Sequence, residues 1–378
     1  MSLILTKLRL LVAPDSFKGT MTAVEIGEIF QAELGPELTV IAHPLADGGE
    51  GTLEAIAASL TSYQWRELNV TGPLPGSVVR AKYLWLPDRA TAFIEMAQAS
   101  GLTLLRPDQY NPELTTTYGT GELIAHAIDR GAKQLYLTLG GSATNDAGLG
   151  LLMALGWSFL DAQGQSIGYG GQGLIKLAQI VPPQHLFLPP VTILSDVTNP
   201  LYGENGAAYV YAPQKGATPG VVEKLDQGLR HLAAVVKQQQ GIDLNFAGAG
   251  AAGGLGAGAQ WGLQAHLTSG FQAIAAFTHL ESQIQQCDWV LTGEGQLDAQ
   301  SLQGKVISGV REIAQKYQKP LILLCGSVEL ELLDPNIHVF TLVGPDFSRY
   351  QCLNAPQLVL RHRCQRIKQF LLSQRRKC

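Results

Sequence analysis

Short apolar runs recur near the two ends of the chain, and each is followed by a polar loop and a stretch with helical periodicity. The first two runs lie at residues 8–13 and 38–44. The helix after the first run begins at Thr22 and Glu25, which have the spacing of a capping box. Strand, loop and helix in succession predict a parallel α/β sheet. Similar runs near residues 290, 323 and 341 complete a predicted flavodoxin-like domain.

The middle of the chain has a different pattern. Residues 78–86 alternate between apolar and polar, as in an antiparallel strand, whereas residues 135–139 form a short apolar run. A chain of 378 residues exceeds the usual size of a single core, so two domains are expected. We therefore predict a second α/β domain at residues 69–285, inserted into a first domain that comprises residues 1–68 and 286–378.

Composition excludes several classes of protein. Charged residues make up 15% of the chain, and the net charge of −4 includes no long run of one sign, so a nucleic-acid-binding surface is not expected. Residues 244–280 carry no charge, but their eight glycines and several glutamines favour a buried helix and loop over a membrane span. The cysteines are odd in number and form no CxxC pair, which predicts a reducing, cytoplasmic location.

Polar loops after the predicted strands carry the residues that could do chemistry, because ligands bind beyond the carboxyl ends of parallel strands. In chain order these residues are Asp15, Ser16, Lys18, Asp47, Glu50, Asp196, Gly293, Glu294 and Asp298. Ordinary structural roles stay open for several of them. Asp15 and Asp47 could cap helices, and Lys18 could be a solvated loop lysine.

The loop after the central strand is the richest of these loops. It contains Gly140, Gly141, Ser142, Thr144, Asn145 and Asp146 ahead of a predicted helix at 149–155. Glycine permits a tight turn, and amides at a helix N-terminus attract anions, so the loop predicts a phosphate site. An ordinary turn in which Asn145 or Asp146 caps the helix would use the same residues.

Signatures of other enzyme classes are weak or missing in the sequence. There is no G-x-S-x-G or H-E-x-x-H, and Gly304-Lys305 is followed by Val306 where a Walker A motif needs Ser or Thr. The G-x-G-x-x-G spacing at 168–173 and at 248–253 does not follow a convincing strand. Phosphoryl transfer fits better, because it needs backbone amides and a lysine for phosphate, carboxylates for Mg²⁺ and an acidic base.

Seven blocks of the sequence resemble the bacterial glycerate kinase family. They are APDSFKG (13–19), ADGGEGT (46–52), YGTGEL (118–123), GGSATND (140–146), PQKGATP (213–219), the glycine-rich segment 250–258 and TGEGQLD (292–298). The family often has Cys or Ala where Ser195 stands. The resemblance implies an ATP- and Mg²⁺-dependent kinase of D-glycerate, and it favours 2-phosphoglycerate as the product. It also implies a flavodoxin-like domain with an inserted α/β domain of restriction-enzyme-like fold.

Residue roles follow from these motifs as predictions. The expected catalytic residues are Lys18, Asp196 and Asp298, with Asp196 and Asp298 also the candidate metal ligands and Asp196 favoured as the base. The expected nucleotide- and phosphate-binding residues are Gly140, Gly141, Ser142, Thr144, Gly293 and Glu294. The expected substrate-binding residues are Asp15, Ser16, Asp47, Glu50 and Asn145.

Two other functions stay open at this point. One is a kinase for another small hydroxy acid or polyol, and the other is a sugar-acid sensor without turnover. The sequence leaves open which hydroxyl is phosphorylated, which domain binds adenine and whether the protein is a homodimer.

Overall fold

The computed structural model describes residues 7–185, 187–295, 305–327 and 337–374. The chain forms two compact units. The first comprises Met1–Asp47, Glu54–Leu60 and Phe271–Cys378, and the second comprises Gly48–Leu53 and Thr61–Gly270.

The bounds of the regular elements are as follows. The strands are β1 (Arg9–Val12), β2 (Thr39–Ala42), β3 (Gln64–Thr71), β4 (Val78–Leu86), β5 (Thr91–Glu95), β6 (Gln134–Thr138), β7 (Ser158–Leu160), β8 (Gln179–Val181), β9 (Val191–Leu194), β10 (His266–Thr268), β11 (Trp289–Glu294), β12 (Leu321–Cys325) and β13 (Ile337–Thr341). The α-helices are α1 (Ala23–Leu34), α2 (Thr52–Ala58), α3 (Ala97–Ser100), α4 (Tyr118–Asp129), α5 (Leu149–Ala154), α6 (Ala207–Tyr211), α7 (Pro219–Gln240), α8 (Ala251–Gly262), α9 (Gly270–Phe277), α10 (Leu280–Gln286), α11 (Lys305–Lys316), α12 (Arg349–Asn354) and α13 (Pro356–Gln374).

The first unit contains a five-stranded sheet in the order β13-β12-β11-β1-β2. Every neighbouring pair is parallel, which confirms the predicted parallel sheet. Leu10, Leu11 and Val12 are completely buried, as expected for a strand that is covered on both faces. The capping box is also confirmed, because the Thr22 hydroxyl accepts from the Glu25 amide at 3.1 Å and the Glu25 carboxylate accepts from the Thr22 amide at 2.8 Å.

The second unit contains a six-stranded sheet in the order β10-β9-β6-β5-β4-β3. The strands β10, β9, β6 and β5 are parallel, and β4 pairs antiparallel with both β5 and β3. The alternation at residues 78–86 therefore predicted strand direction correctly. The predicted domain boundary at residue 68 falls within β3, a strand of this sheet.

The uncharged, glycine-rich stretch forms α8, which is almost entirely buried. Its first turn is not helical, since φ is +67° at Gly253 and +92° at Gly254. A Cβ at Gly253 would overlap the carbonyl oxygen of Thr144. Glycine is thus required there, and this close approach packs α8 against the loop that follows β6.

Candidate active site

Asp15 lies where the first unit's sheet reverses its order of strands, between β1 and β11. Its backbone amide donates to the carbonyl of Gly293 in β11 at 2.9 Å, and its side chain is buried. One carboxylate oxygen accepts from the Ser16 amide at 2.6 Å. This point of an open parallel sheet is where such folds bind ligands.

The Asp15 carboxyl group has a strongly perturbed pKa. Burial is the main cause and the negative charge of Asp47 the next, and together they raise the pKa from 3.8 to about 7; Glu294 adds to the rise, and the Ser16 amide and Lys18 oppose it. A carboxyl group that titrates near neutral pH is a candidate for proton transfer or for binding a cation.

Lys18 and Asp47 form the exposed part of the same cluster. The Lys18 Nζ lies 3.8 Å from Asp47 Oδ2, and the lysine side chain is 79% exposed. Such an exposed ion pair contributes only about 0–1 kcal/mol to stability. Lys18 can therefore leave Asp47 and bind a phosphate group with little loss of protein stability. The turn after Lys18 depends on Gly19, whose φ is +77°.

These side chains line one end of a cavity of about 540 Å³ in the first unit. Ser16 and Glu294 also line it. Gly293 itself lies inside β11, where a Cβ would overlap the carbonyl oxygen of Leu324. The absence of a side chain at Gly293 thus allows β11 and β12 to pack closely. Asp298, a predicted catalytic and metal-binding residue, lies outside the described residues.

In the second unit, the glycine loop lies at the carboxyl end of β6. A Cβ at Gly140 would overlap the backbone of Gly49, and the φ of Gly141 is +75°. Within the described ranges, the amides of Gly141 and Ser142 donate to no other residue. The side chain of Glu50 lies against this turn, because its Oε2 would be 3.9 Å from a Cβ at Gly141. The loop thus offers free amides next to one carboxylate.

Asp146 is buried and lies two residues before Gly148, the N-cap residue of α5. Its carboxylate accepts four hydrogen bonds, from the Thr117 amide at 2.8 Å, the Thr117 hydroxyl at 2.9 Å, the Gly148 amide at 3.1 Å and the Gly150 amide at 3.3 Å. Burial nevertheless raises its pKa. Asp146 is thus not the N-cap residue, which is Gly148, but its carboxylate accepts from amides at the start of α5 and already occupies that helix N-terminus.

Lys215 is the principal residue that the motif analysis did not single out. It is 1% exposed, and its Nζ donates to the Ser142 hydroxyl at 2.8 Å and to the Thr144 carbonyl at 2.7 Å. Burial lowers its pKa from 10.5 to about 7, against the attraction of Asp146. Its block, PQKGATP, was visible in the sequence, but only the fold shows that this lysine holds the glycine loop.

Thr144 and Asn145 are completely buried. Both polar side-chain atoms of Asn145, and the Oγ1 of Thr144, lack a hydrogen-bond partner among the residues that the structure describes. Buried polar atoms of folded proteins are nearly always paired, and an unpaired one costs about 1–3 kcal/mol. Asn145 is therefore well suited to receive a polar ligand.

Asp196 and Glu95 lie at the same edge of the sheet as the glycine loop, at the carboxyl ends of β9 and β5, which flank β6. Asp196 lies just beyond the end of β9 at Leu194, as predicted, and its side chain is partly buried. Glu95 was not predicted. It is completely buried, and its Oε2 accepts from the Gln98 amide group at 3.3 Å.

Across the described residues, no group of three or more His, Cys, Asp or Glu side chains could hold a metal ion. Nor does any described helix have the length and apolar character needed to cross a membrane. A lysine, free loop amides and carboxylates at the edges of parallel sheets are the equipment of an α/β enzyme that handles phosphate.

Comparison with known proteins defines the family. The model of the glycerate kinase family matches residues 10–372. The chain is 57% identical to an uncharacterized protein of Synechocystis, over 96% of this chain and 98% of that protein. It is 43% identical to the glycerate 2-kinase of Escherichia coli, over 85% and 86% of the two chains. A crystal structure assigned as glycerate kinase 2 of Salmonella typhimurium superposes with a TM-score of 0.82 at 39% identity, covering 98% of this chain and 100% of the other. The chain therefore belongs to the glycerate kinase family, and it is an enzyme.

Proposed function

We propose that this enzyme transfers the γ-phosphate of ATP to D-glycerate and forms 2-phosphoglycerate. The observation that carries the chemistry is the cluster of Asp15, Lys18 and Asp47 in the lining of a cavity of about 540 Å³. It combines an exposed cation with a carboxyl group whose pKa is about 7. The substrate comes from the relatives, of which the Escherichia coli protein is a glycerate 2-kinase.

We further propose that the first unit is a flavodoxin-like domain and that the second unit is an inserted domain of restriction-enzyme-like fold. The strand order of the first sheet supports the first part. Numbered along the chain within that sheet, the order is 2-1-3-4-5, which is the flavodoxin-like order. The four buried cysteines Cys287, Cys325, Cys352 and Cys364 are unpaired, which supports a cytoplasmic location.

In this proposal, Lys18 and the loop amides stabilise the negative charge of the phosphate groups. The ammonium of Lys18 is exposed and can follow a phosphate group. The amides of Gly141 and Ser142 have no acceptor in the part of the chain that the structure describes, and Gly140 allows the backbone to come close. Fixed donors aimed at developing charge are usually the largest contribution to catalysis.

The acid–base and metal roles fall to carboxylates. Asp196 stands partly exposed at the end of β9, where it can accept the proton of the substrate hydroxyl. Mg²⁺ in kinases is usually held by one or two carboxylates together with phosphate oxygens. Asp196 or Asp298 would hold it, and the ion would neutralise phosphate charge. Asp47, Glu50 and Asn145 would orient the hydroxy acid.

A ³¹P NMR spectrum of the product tests the proposal. Purified enzyme with ATP, Mg²⁺ and D-glycerate should give the resonance of 2-phosphoglycerate at a rate proportional to enzyme concentration. A 3-phosphoglycerate signal would correct the regiochemistry. Turnover of another hydroxy acid or polyol in preference to D-glycerate would reassign the substrate, and nucleotide binding without any turnover would indicate a sensor.

A further inference from the structure

We propose that the apolar half of the cavity in the first unit binds the purine base of the nucleotide, with the phosphates toward Lys18. This inference rests on the proposed function and names the unit that holds the nucleotide. It starts from the size of the cavity, about 540 Å³. A three-carbon acid occupies only a small part of such a volume, whereas drug-sized ligands and cofactors fill pockets of roughly 300–1,000 Å³.

The cavity is lined by polar residues from one part of the chain and by apolar residues from another. Charged and hydroxyl groups come from the loops after β1 and β2. Aliphatic and sulfur-containing side chains come from the segment after β13 and from α12: Leu342, Val343, Cys352 and Leu353. A nucleotide has the same division, with an apolar ring at one end and anionic phosphates at the other. The apolar part does not suit glycerate, which is polar throughout.

Leu353 is the most informative of the apolar residues. It lines the cavity and remains 55% exposed, so the fold leaves a large aliphatic surface for something else to cover. Arg349, on the same helix, also lines the cavity, and a guanidinium can stack on an aromatic ring. A flat aromatic base could cover the aliphatic surface of Leu353 and stack on the guanidinium of Arg349.

The apolar wall is built before any ligand arrives. The amide of Leu342 donates to the Cys325 carbonyl at 2.8 Å, and that of Val343 donates to the Gly326 carbonyl at 2.9 Å. The buried guanidinium of Arg363 donates to the Leu342 carbonyl at 3.2 Å and to Asp346 at 2.9 Å. A wall fixed in this way loses little entropy when a ligand binds.

The position within the sheet agrees with the general rule for such folds. Ligands bind beyond the carboxyl ends of the strands, at the point where the strand order reverses. That point lies between β1 and β11, and Asp15 and Glu294 from these two strand ends line the cavity.

The experiment compares Leu353→Glu with Leu358→Glu, a control on α13 that is 64% exposed. Binding of a fluorescent ADP analogue and of inorganic tripolyphosphate is measured, together with the KM values for ATP and D-glycerate. We expect Leu353→Glu to weaken ADP binding and raise the KM for ATP at least tenfold. Tripolyphosphate affinity and the KM for D-glycerate should stay within twofold, as should all four quantities in Leu358→Glu.

Unchanged ADP affinity in Leu353→Glu would overturn the inference, as would a tenfold rise in the KM for D-glycerate with the KM for ATP unchanged. Equal loss of tripolyphosphate and ADP binding would also overturn it, since the base would then contribute nothing. The proposed function is judged separately. If wild-type protein binds ADP through Leu353 but does not phosphorylate D-glycerate, the proposed function fails and the nucleotide site stands.

Discussion

Replacing Lys215 by methionine tests the account of the glycine loop most directly. Methionine keeps the length of the side chain and removes its charge. Burial lowers the pKa of Lys215 to about 7 in the folded protein, whereas the unfolded chain keeps a value near 10.5. Between these values the unfolded state binds more protons, so the contribution of Lys215 to stability grows as the pH rises from 7 toward 10.5 and is lost as the pH falls.

The size of the effect follows from the same two values. Between pH 7 and pH 9.5, the free energy of unfolding of the wild type should rise by about 3 kcal/mol relative to Lys215→Met. The variant also loses the hydrogen bonds to Ser142 and Thr144, at a cost of about 1–3 kcal/mol each, and this loss is nearly independent of pH. Near neutral pH the two contributions largely cancel, and at alkaline pH the variant should be clearly less stable.

Urea denaturation of both proteins at the two pH values measures this difference. Lys237→Met is the matched control, because the Lys237 side chain is 69% exposed and its Nζ lies 3.9 Å from Asp243 Oδ2, a long ion pair. Its stability relative to wild type should change by less than about 0.5 kcal/mol with pH. If the gap between wild type and Lys215→Met stays constant within about 1 kcal/mol, the ammonium is not desolvated and the reasoning is wrong.

Four further variants test the remaining parts of the site and fold. Lys18→Ala should lower kcat/KM by on the order of 10²-fold without loss of folding, because an exposed lysine contributes charge to the phosphate and little to stability. Asp196→Asn should lower kcat by at least ~100-fold if the residue is the base, and partial rescue by high Mg²⁺ would indicate a metal ligand. Asp15→Asn should be inactive but more stable than wild type at pH 8, by roughly 4 kcal/mol. The pKa of Asp15 is raised to about 7 in the folded protein, so the wild type loses stability as the pH rises through that value, whereas the neutral asparagine does not. Burial lowers the pKa of His43 to about 4 in the folded protein, so the unfolded state takes up the proton first as the pH falls. The free energy of unfolding of the wild type should therefore fall by roughly 3 kcal/mol between pH 6.5 and pH 4, and His43→Gln should abolish this fall.

Each of these variants has a result that would contradict it. For Lys18→Ala it is activity within threefold of wild type, and for Asp196→Asn it is full activity per folded molecule. Asp15→Asn would count against the site if it were less stable than wild type at pH 8 in chemical denaturation. For His43→Gln the contrary result is a fall in stability between pH 6.5 and pH 4 equal to that of the wild type. Glutamine can still bond the Thr278 hydroxyl, which lies 2.9 Å from His43 Nε2, so packing alone should not mask the outcome.

Local signals in the sequence predicted the elements well. Runs such as Leu10 to Val12 are apolar at every position, which is typical of a short strand covered on both faces. The Thr22 and Glu25 box needs no information from elsewhere in the chain. The glycine turn after β6 was equally visible, because only glycine tolerates the close backbone approaches found there.

Long-range contacts account for what the sequence did not reveal. Lys215 meets Ser142 across 73 positions, and nothing in its own block distinguishes a buried lysine from a solvated one. Glu95 ends an apolar strand and reads as an ordinary strand terminus. Asp146 was ambiguous with Asn145 until the fold brought Thr117 to its carboxylate. The strand before Asp196 was predicted with its observed bounds, Val191–Leu194, but how far a side chain beyond a strand end is buried depends on contacts from elsewhere in the chain.

The crowding of carboxyl groups around Asp15 has a calorimetric consequence. With a pKa of about 7, Asp15 is protonated in about half of the molecules at neutral pH. A ligand that brings positive charge beside it favours the carboxylate and expels that proton into the solvent. The observed heat of binding then includes the ionisation enthalpy of the buffer, and the affinity for such a ligand rises with pH over the same range. Titrations in two buffers of different ionisation enthalpy would therefore measure the net number of protons that binding releases from the unmodified enzyme.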